Sequence, residues 1–271
     1  MLAFIKSLHY NILLNEGDVL LTWLRNKFYY IDDSGNEIVL SLPELGKCLG
    51  IGSEGTTVYR LGNLAFKIFD TAPDNPEEEY ENFKSFTKLR NIIVPKHLLH
   101  VYDRTDQFCG YTSTFVQKIN GIANFRCSSL LTSVDGLLND AADIGRELVI
   151  VDSTAVHNYI FGEDALYYAG SDKWKNDTKT KHLSIDSIVK VNRLDFSKGI
   201  AKLLKSPDVV GTAVSSRIAP ICDDFLFCKC NIAGELMFDR RIEESKRFHH
   251  RLVSELGPYP TLGDYGANRR R

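Results

Sequence analysis

Two hydrophobic periods divide this chain. In the first half, short apolar runs with turn chemistry between them point to strands. Phe28-Tyr29-Tyr30-Ile31 and Glu37-Ile38-Val39-Leu40 flank Asp32-Asp33-Ser34-Gly35-Asn36, which reads as strand, turn, strand. The β-prone run Thr57-Val58-Tyr59 leads to a turn at Gly62-Asn63 and then to a second short strand carrying Lys67. Asp70 to Pro76 is a loop. In EEEYENFKSFTKLRNI, Tyr80, Phe83, Phe86 or Thr87, and Arg90 recur at helical spacing, with acids in the first turn that suit the helix dipole. Ile92-Ile93-Val94-Pro95 closes that helix. Gly110 to Ile119 reads as one more strand, with Asn120-Gly121 as its turn. Beyond it, residues 128–147 are expected to be largely helical, Leu148–Val151 and Leu166–Ala169 to be short strands, and 183–255 to be mainly helical. The tail GPYPTLGDYGANRRR is expected to be extended and flexible. The order of elements gives an α+β fold.

Composition narrows the class without naming a function. The chain has 271 residues, 44% hydrophobic and 25% charged, with a net charge of −2. That length supports one large domain or two lobes. Near-neutral charge gives no ground for nucleic-acid or membrane binding, and no apolar run reaches membrane-spanning length. The six cysteines are scattered at 48, 109, 127, 222, 228 and 230, which is no disulfide framework and points to a reducing, cytoplasmic setting. Cys228 and Cys230, with Cys222 upstream, match no common zinc spacing, so buried structural thiols are expected.

The segment GIGSEGTTVYRLGNLAFK, residues 50–67, carries the chemistry. Gly50, Gly52 and Gly55 let backbone approach a ligand closely, and successive N–H groups can cradle phosphate oxygens. Lys67 on the next strand would bring a cation to the same phosphates. A dinucleotide-binding fold would need a helix after the glycines, whereas β-branched and aromatic residues follow here. A Walker loop would need a lysine that Gly55-Thr56-Thr57 lacks. An ordinary glycine-rich hairpin turn is the competing reading.

A hairpin of glycines followed by Ala65-Phe66-Lys67-Ile68 resembles the nucleotide loop and lysine strand of the protein-kinase-like superfamily. The resemblance covers roughly residues 45–175. It implies a bilobal fold: an extension with a β-hairpin over 1–44, a β-rich N-lobe over 45–116, a mainly helical C-lobe over 117–255 and a tail over 256–271. The cleft between two such lobes is a natural nucleotide pocket. By the same resemblance Lys67 bridges phosphates to a helix glutamate. Glu81 is the matching partner, with Glu77, Glu78 and Glu79 as alternatives at the helix start. Outside the resemblance, Lys67 is a surface cation and Glu81 a solvated acid. Thr114–Gly121 resembles the hinge, where backbone groups of Gln117 and Ile119 would bond an adenine; its other reading is a plain edge strand.

The catalytic loop of the family has an Asp, four residues, then an Asn between two short strands. Here LVIVDSTAVHNYIF places Asp152 at a strand end, yet Asn158 follows after five intervening residues. Either the loop holds one extra residue, or Ser153 stands where the acid was. Ile150 occupies the place of the usual His. The next carboxylate in reach is Asp172, although the register equally allows Gly170 or Ser171 there, and Asp-Phe-Gly and Ala-Pro-Glu are both missing.

The resemblance implies an ATP-dependent phosphotransferase using Mg2+, with Asp152 and Lys67 as catalytic residues. Gly50, Gly52, Gly55, Lys67, Glu81, Gln117 and Ile119 would hold the nucleotide, and Asn158 and Asp172 the metal. The partners are a nucleotide and an unknown phosphoryl acceptor, a small molecule or a protein. The irregular loop supports the alternative, a pseudokinase that binds nucleotide or partners without transfer. A third reading is an unrelated α+β scaffold with a coincidental glycine loop.

Overall fold

The computed structural model describes residues 27–51, 56–69, 80–81, 86, 89–102, 107–119, 127–146, 149–150, 153–170, 174–175, 184–227 and 235–256. The chain is mixed α+β and divides into two compact units. One takes the described residues of 1–85 and 95–115; the other takes those of 86–94 and 116–271. Among the described residues no helix is long and apolar enough to cross a membrane.

The first unit is a seven-stranded antiparallel sheet. Its strands are β1 (Lys27–Ile31), β2 (Glu37–Ser41), β3 (Cys48–Ile51), β4 (Thr56–Leu61), β5 (Leu64–Phe69), β6 (Pro95–Val101) and β7 (Phe108–Thr114), in the spatial order β2-β1-β6-β7-β5-β4-β3. The expected first hairpin is present. Asp32 Oδ1 accepts from the backbone N–H of Ser34 at 2.9 Å and of Asn36 at 2.8 Å, and Gly35 supplies the positive φ of 80° that the turn needs. This hairpin is continuous with the rest of the sheet, because Phe28 pairs with Val101 and Tyr29 with His100. Asp33 fastens it further. Its carboxylate meets Lys96 Nζ at 2.6 Å and His97 Nε2 at 3.1 Å, and these bonds, that of Lys96 foremost, hold the Asp33 carboxyl below its ordinary value. The buried His97 ring stacks on Tyr30 and meets Thr112 Oγ1 through Nδ1 at 2.8 Å.

Two strands of this sheet differ from the sequence expectation. β6 was not anticipated, because His97 interrupts its apolar alternation; the polar bonds just described let that histidine occupy an inward position. The strand expected over 110–119 runs from Phe108 to Thr114 instead. Its neighbour β5 begins at Leu64, paired with Thr114, directly after the Gly62-Asn63 turn, and the pairing ends one bond further on, where Phe115 N–H donates to the Asn63 carbonyl.

The second unit is built on helices α1 (Cys127–Ile144), α2 (Ile185–Leu204), α3 (Pro207–Val210), α4 (Thr212–Leu226) and α5 (Glu235–Leu256), with short strands β8 (Val149–Ile150), β9 (Tyr159–Phe161), β10 (Leu166–Tyr168) and β11 (Trp174–Lys175). β9 pairs with β10, and β8 with β11. α1 buries Leu130, Val134, Leu137, Leu138, Ala141 and Ile144 at helical spacing, and α1 packs on α2, α2 on α4, and α4 on α5. Ser184 caps α2 by accepting from the N–H of Ser187. Of the helix expected after Pro76, Tyr80 and Glu81 are helical, whereas Phe86 and Leu89 to Ile92 are not, so the periodicity carried through Phe86 and Arg90 overran the helix; the tail beyond Leu256 lies outside the described residues.

A buried acid organises this unit. Asp140 Oδ2 accepts the backbone N–H groups of Arg90, Asn91 and Ile92 at 2.9, 2.6 and 2.9 Å. The segment so held passes to β10: Asn91 Nδ2 donates to the Leu166 carbonyl at 2.9 Å, and Asn91 and Ile93 bracket Tyr168 with two backbone bonds of 2.8 Å. Gly136 leaves the room for Asn91, since a Cβ there would collide with the Asn91 amide.

Burial raises the Asp140 carboxyl above its ordinary value, against the opposing pull of the three N–H donors, and Asp143 adds to the rise. The folded protein therefore binds this proton more tightly than the unfolded chain. Its contribution to stability is full below the unfolded value and is lost as pH rises through the folded one. Urea midpoints of wild type and Asp140→Asn, compared from about pH 7 down to about pH 4, are expected to move in favour of wild type on acidification. A relative loss for wild type over that window would contradict the assignment.

Candidate functional site

The glycine hairpin is β3 and β4, and Gly50 sits in β3 opposite Val58, beside a register shift between Cys48 and Gly50. Gly52 and Gly55 lie outside the described residues. A Cβ at Gly50 would meet nothing within 4 Å among the described residues. Among the described residues, packing does not demand glycine there, in contrast to Gly110 of β7, where a Cβ would collide with the Lys67 carbonyl.

Lys67 is placed by the alternation of β5. Phe66 and Ile68 enter the core with Phe28, Tyr30, Leu99 and Val101, so Lys67 emerges on the opposite face. It is half-buried. Its ammonium lies 5.3 Å from the Phe69 ring centroid and 5.7 Å from that of Tyr111, the residue directly across the ladder. Aromatic faces attract a cation at such distances. Glu81 is exposed and helical, and neither it nor Lys67 is without a partner.

The expected hinge leaves the sheet after Thr114. Phe115 is held by its N–H bond to the Asn63 carbonyl at 2.8 Å and by the Arg60 guanidinium 4.0 Å over its ring. Gln117 is exposed. The Ile119 N–H donates to the Phe161 carbonyl at 2.9 Å.

In the second unit, Asp152 and Asp172 lie outside the described residues, and Asn158 is described. Asn158 ends a 3-10 turn, Val156–Asn158, and its carbonyl accepts from Ala169 N at 2.8 Å. Its side-chain amide lies against Gly170: a Cβ on Gly170 would collide with Asn158 Nδ2 and with the Tyr168 hydroxyl. The fold thus brings Asn158 beside Gly170, which precedes Asp172 by two residues in the chain. Ser153, the other residue that the loop count allows at the acid position, is buried at 1% exposure, and its hydroxyl has no partner among the described residues.

Two supporting residues were not singled out from sequence. Asn192 of α2 accepts from Ile150 N at 3.0 Å and donates to the Ala141 carbonyl at 3.3 Å, tying β8 to two helices. Asp140 is the other, and its place among Leu137, Ala141 and Ile144 on one helix face was a readable sign of an inward acid. Of the cysteines whose side chains are described, Cys109 and Cys222 are buried and Cys48 is exposed. Burial, with Asp223 adding to it, pushes the Cys222 thiol up to about 12, which leaves it inert. Among the described residues no group of three or more His, Cys, Asp or Glu side chains gathers as a metal site.

No protein-family model matches the sequence, and no curated protein does. Among solved structures, the Legionella pneumophila Lpg2603 kinase bound to IP6 is similar over 65% of this chain and 67% of its own, with 11% identity and a TM-score of 0.39. At that level the likeness defines no class for this chain.

Ser153→Ala is expected to leave stability unchanged or raise it by up to about 1 kcal/mol, since it removes a buried hydroxyl with no partner among the described residues. Chemical denaturation checks this. A loss of more than about 1 kcal/mol would show that the hydroxyl has a partner after all.

Proposed function

We propose that this chain is an ATP-dependent phosphotransferase of the kinase-like fold, acting on a small molecule or a protein. The observation that carries the proposal is the setting of Lys67. A lysine on the strand after a glycine hairpin, turned away from the core and half-buried over two aromatic rings, suits a phosphate-binding cation. In this reading Gly50, Gly52 and Gly55 cover the phosphates and Glu81 orients the lysine. Backbone groups of Gln117 and Ile119 face the base. Asp152 positions the acceptor hydroxyl and takes its proton.

The residues at the loop end suit a magnesium ion. Asn158 offers a hard oxygen, and Asp172 follows the strand end beside it. Magnesium is commonly held by one or two such oxygens together with substrate phosphates, so no preformed cluster of carboxylates is required. When bound, the ion would neutralise charge on the phosphates.

A second reading has its own support. The loop has one residue too many between Asp152 and Asn158, and Asp-Phe-Gly is missing, which favours a pseudokinase that binds nucleotide without transfer.

Thermal or urea unfolding with ATP, with and without magnesium, tests the proposal. Ligand at about a hundred times its Kd adds about 2.7 kcal/mol. Lys67→Met is expected to weaken ATP binding on the order of tenfold to a hundredfold, the equivalent of losing a bond to a charged group worth about 1.5–3 kcal/mol. No stabilisation of the wild type at millimolar ATP would refute both readings. Turnover that disappears in Asp152→Asn selects the enzyme, and binding without turnover selects the pseudokinase.

A further inference from the structure

Residues 153–159 form a turn closed by one side chain. The Tyr159 hydroxyl donates to the Ser153 carbonyl at 2.7 Å, and both residues are buried. The Tyr159 ring is fixed edge-on against Tyr168 at 5.2 Å and Phe196 at 6.3 Å, and those two meet edge-on at 4.8 Å. Gly199 of α2 makes the space, since a Cβ there would collide with the Ser153 carbonyl and the Tyr159 hydroxyl. Between the two ends of the turn lie Thr154, Ala155 and the 3-10 turn ending in Asn158, whose N–H donates to Ala155 at 3.2 Å. Asn158 is thus held on one side by Ala169 and on the other by a loop whose far end hangs on the tyrosine hydroxyl. Burial raises this hydroxyl well above the ordinary phenol range, so it remains a neutral donor.

We propose that Tyr159 is a positioning residue for Asn158: by bonding the Ser153 carbonyl, its hydroxyl sets the conformation of the loop and so fixes the Asn158 amide beside Gly170. The consequence for magnesium rests on the functional reading above. The fixed geometry itself does not. A phenyl ring at this position would keep the aromatic packing and lose only the staple, leaving a buried carbonyl unpaired.

The test is Tyr159→Phe in the full chain. Backbone amides of residues 154–158 are expected to exchange about tenfold faster, the equivalent of one lost buried hydrogen bond. Amides of α1 and of the seven-stranded sheet are expected to keep the wild-type rate, and the Asn158 side-chain NH2 signal in the nitrogen–proton NMR spectrum is expected to move. Magnesium-free ATP affinity should be unchanged, while the gain in affinity on adding magnesium falls about tenfold. Unchanged loop exchange, or an unmoved Asn158 signal, overturns the proposal. So does faster exchange everywhere, which would mean plain destabilisation. A wild type that binds no ATP refutes the functional reading, and the inference is then decided by loop exchange and the Asn158 signal alone. A wild type whose magnesium gain survives in Tyr159→Phe overturns the positioning role.

Discussion

A strand has two faces, and in β5 that fact decides where Lys67 goes. Phe66 and Ile68 are both buried in the core of the first unit. Burying two such side chains is worth about 1.5–3 kcal/mol each. A slip of one residue would expose them and push an ammonium into their place, at a cost of several kcal/mol. The register therefore holds Lys67 on the opposite face, across from Tyr111 and near Phe69. Gly110 adds a second restraint, because only glycine lets β7 run so close to the Lys67 carbonyl. The functional reading begins from this placement.

The second unit is held together by different forces. Asp140 satisfies three backbone donors at once and thereby binds residues 90–92 to α1. Asn91 and Ile93 pass that restraint to β10, and Ser133 of α1 adds a bond to Leu166 N at 3.0 Å. From β10 the restraint reaches Tyr168, the aromatic trio with Tyr159 and Phe196, and finally Asn158 against Gly170. Each link is a buried polar bond or a packed ring, and such bonds cost most when one partner is lost.

Much of the strand-and-helix order was readable from residues alone. Turn chemistry at Asp32–Asn36 and Gly62-Asn63 marked two hairpins, and helical spacing marked α1 and the helices after residue 183. What failed to show were features in which a polar residue points inward. His97 disguised β6, because a histidine at a core position looks like a break in the pattern until Asp33 and Thr112 are seen to bond it. At the candidate site, the glycine hairpin and the lysine strand were legible as local patterns. The loop from 152 to 158 was not, because its count allowed two registers. The burial of Ser153 bears on that choice through packing from α2, which no local motif encodes.

The account stands most directly on whether Lys67 meets nucleotide phosphate. An acyl-phosphate derivative of ATP transfers its acyl group to a lysine amine lying beside the phosphates, and peptide mapping then identifies the modified residue. The account predicts labelling at Lys67, suppressed by unmodified ATP. Labelling spread over surface lysines and indifferent to ATP, with Lys67 untouched, would contradict it.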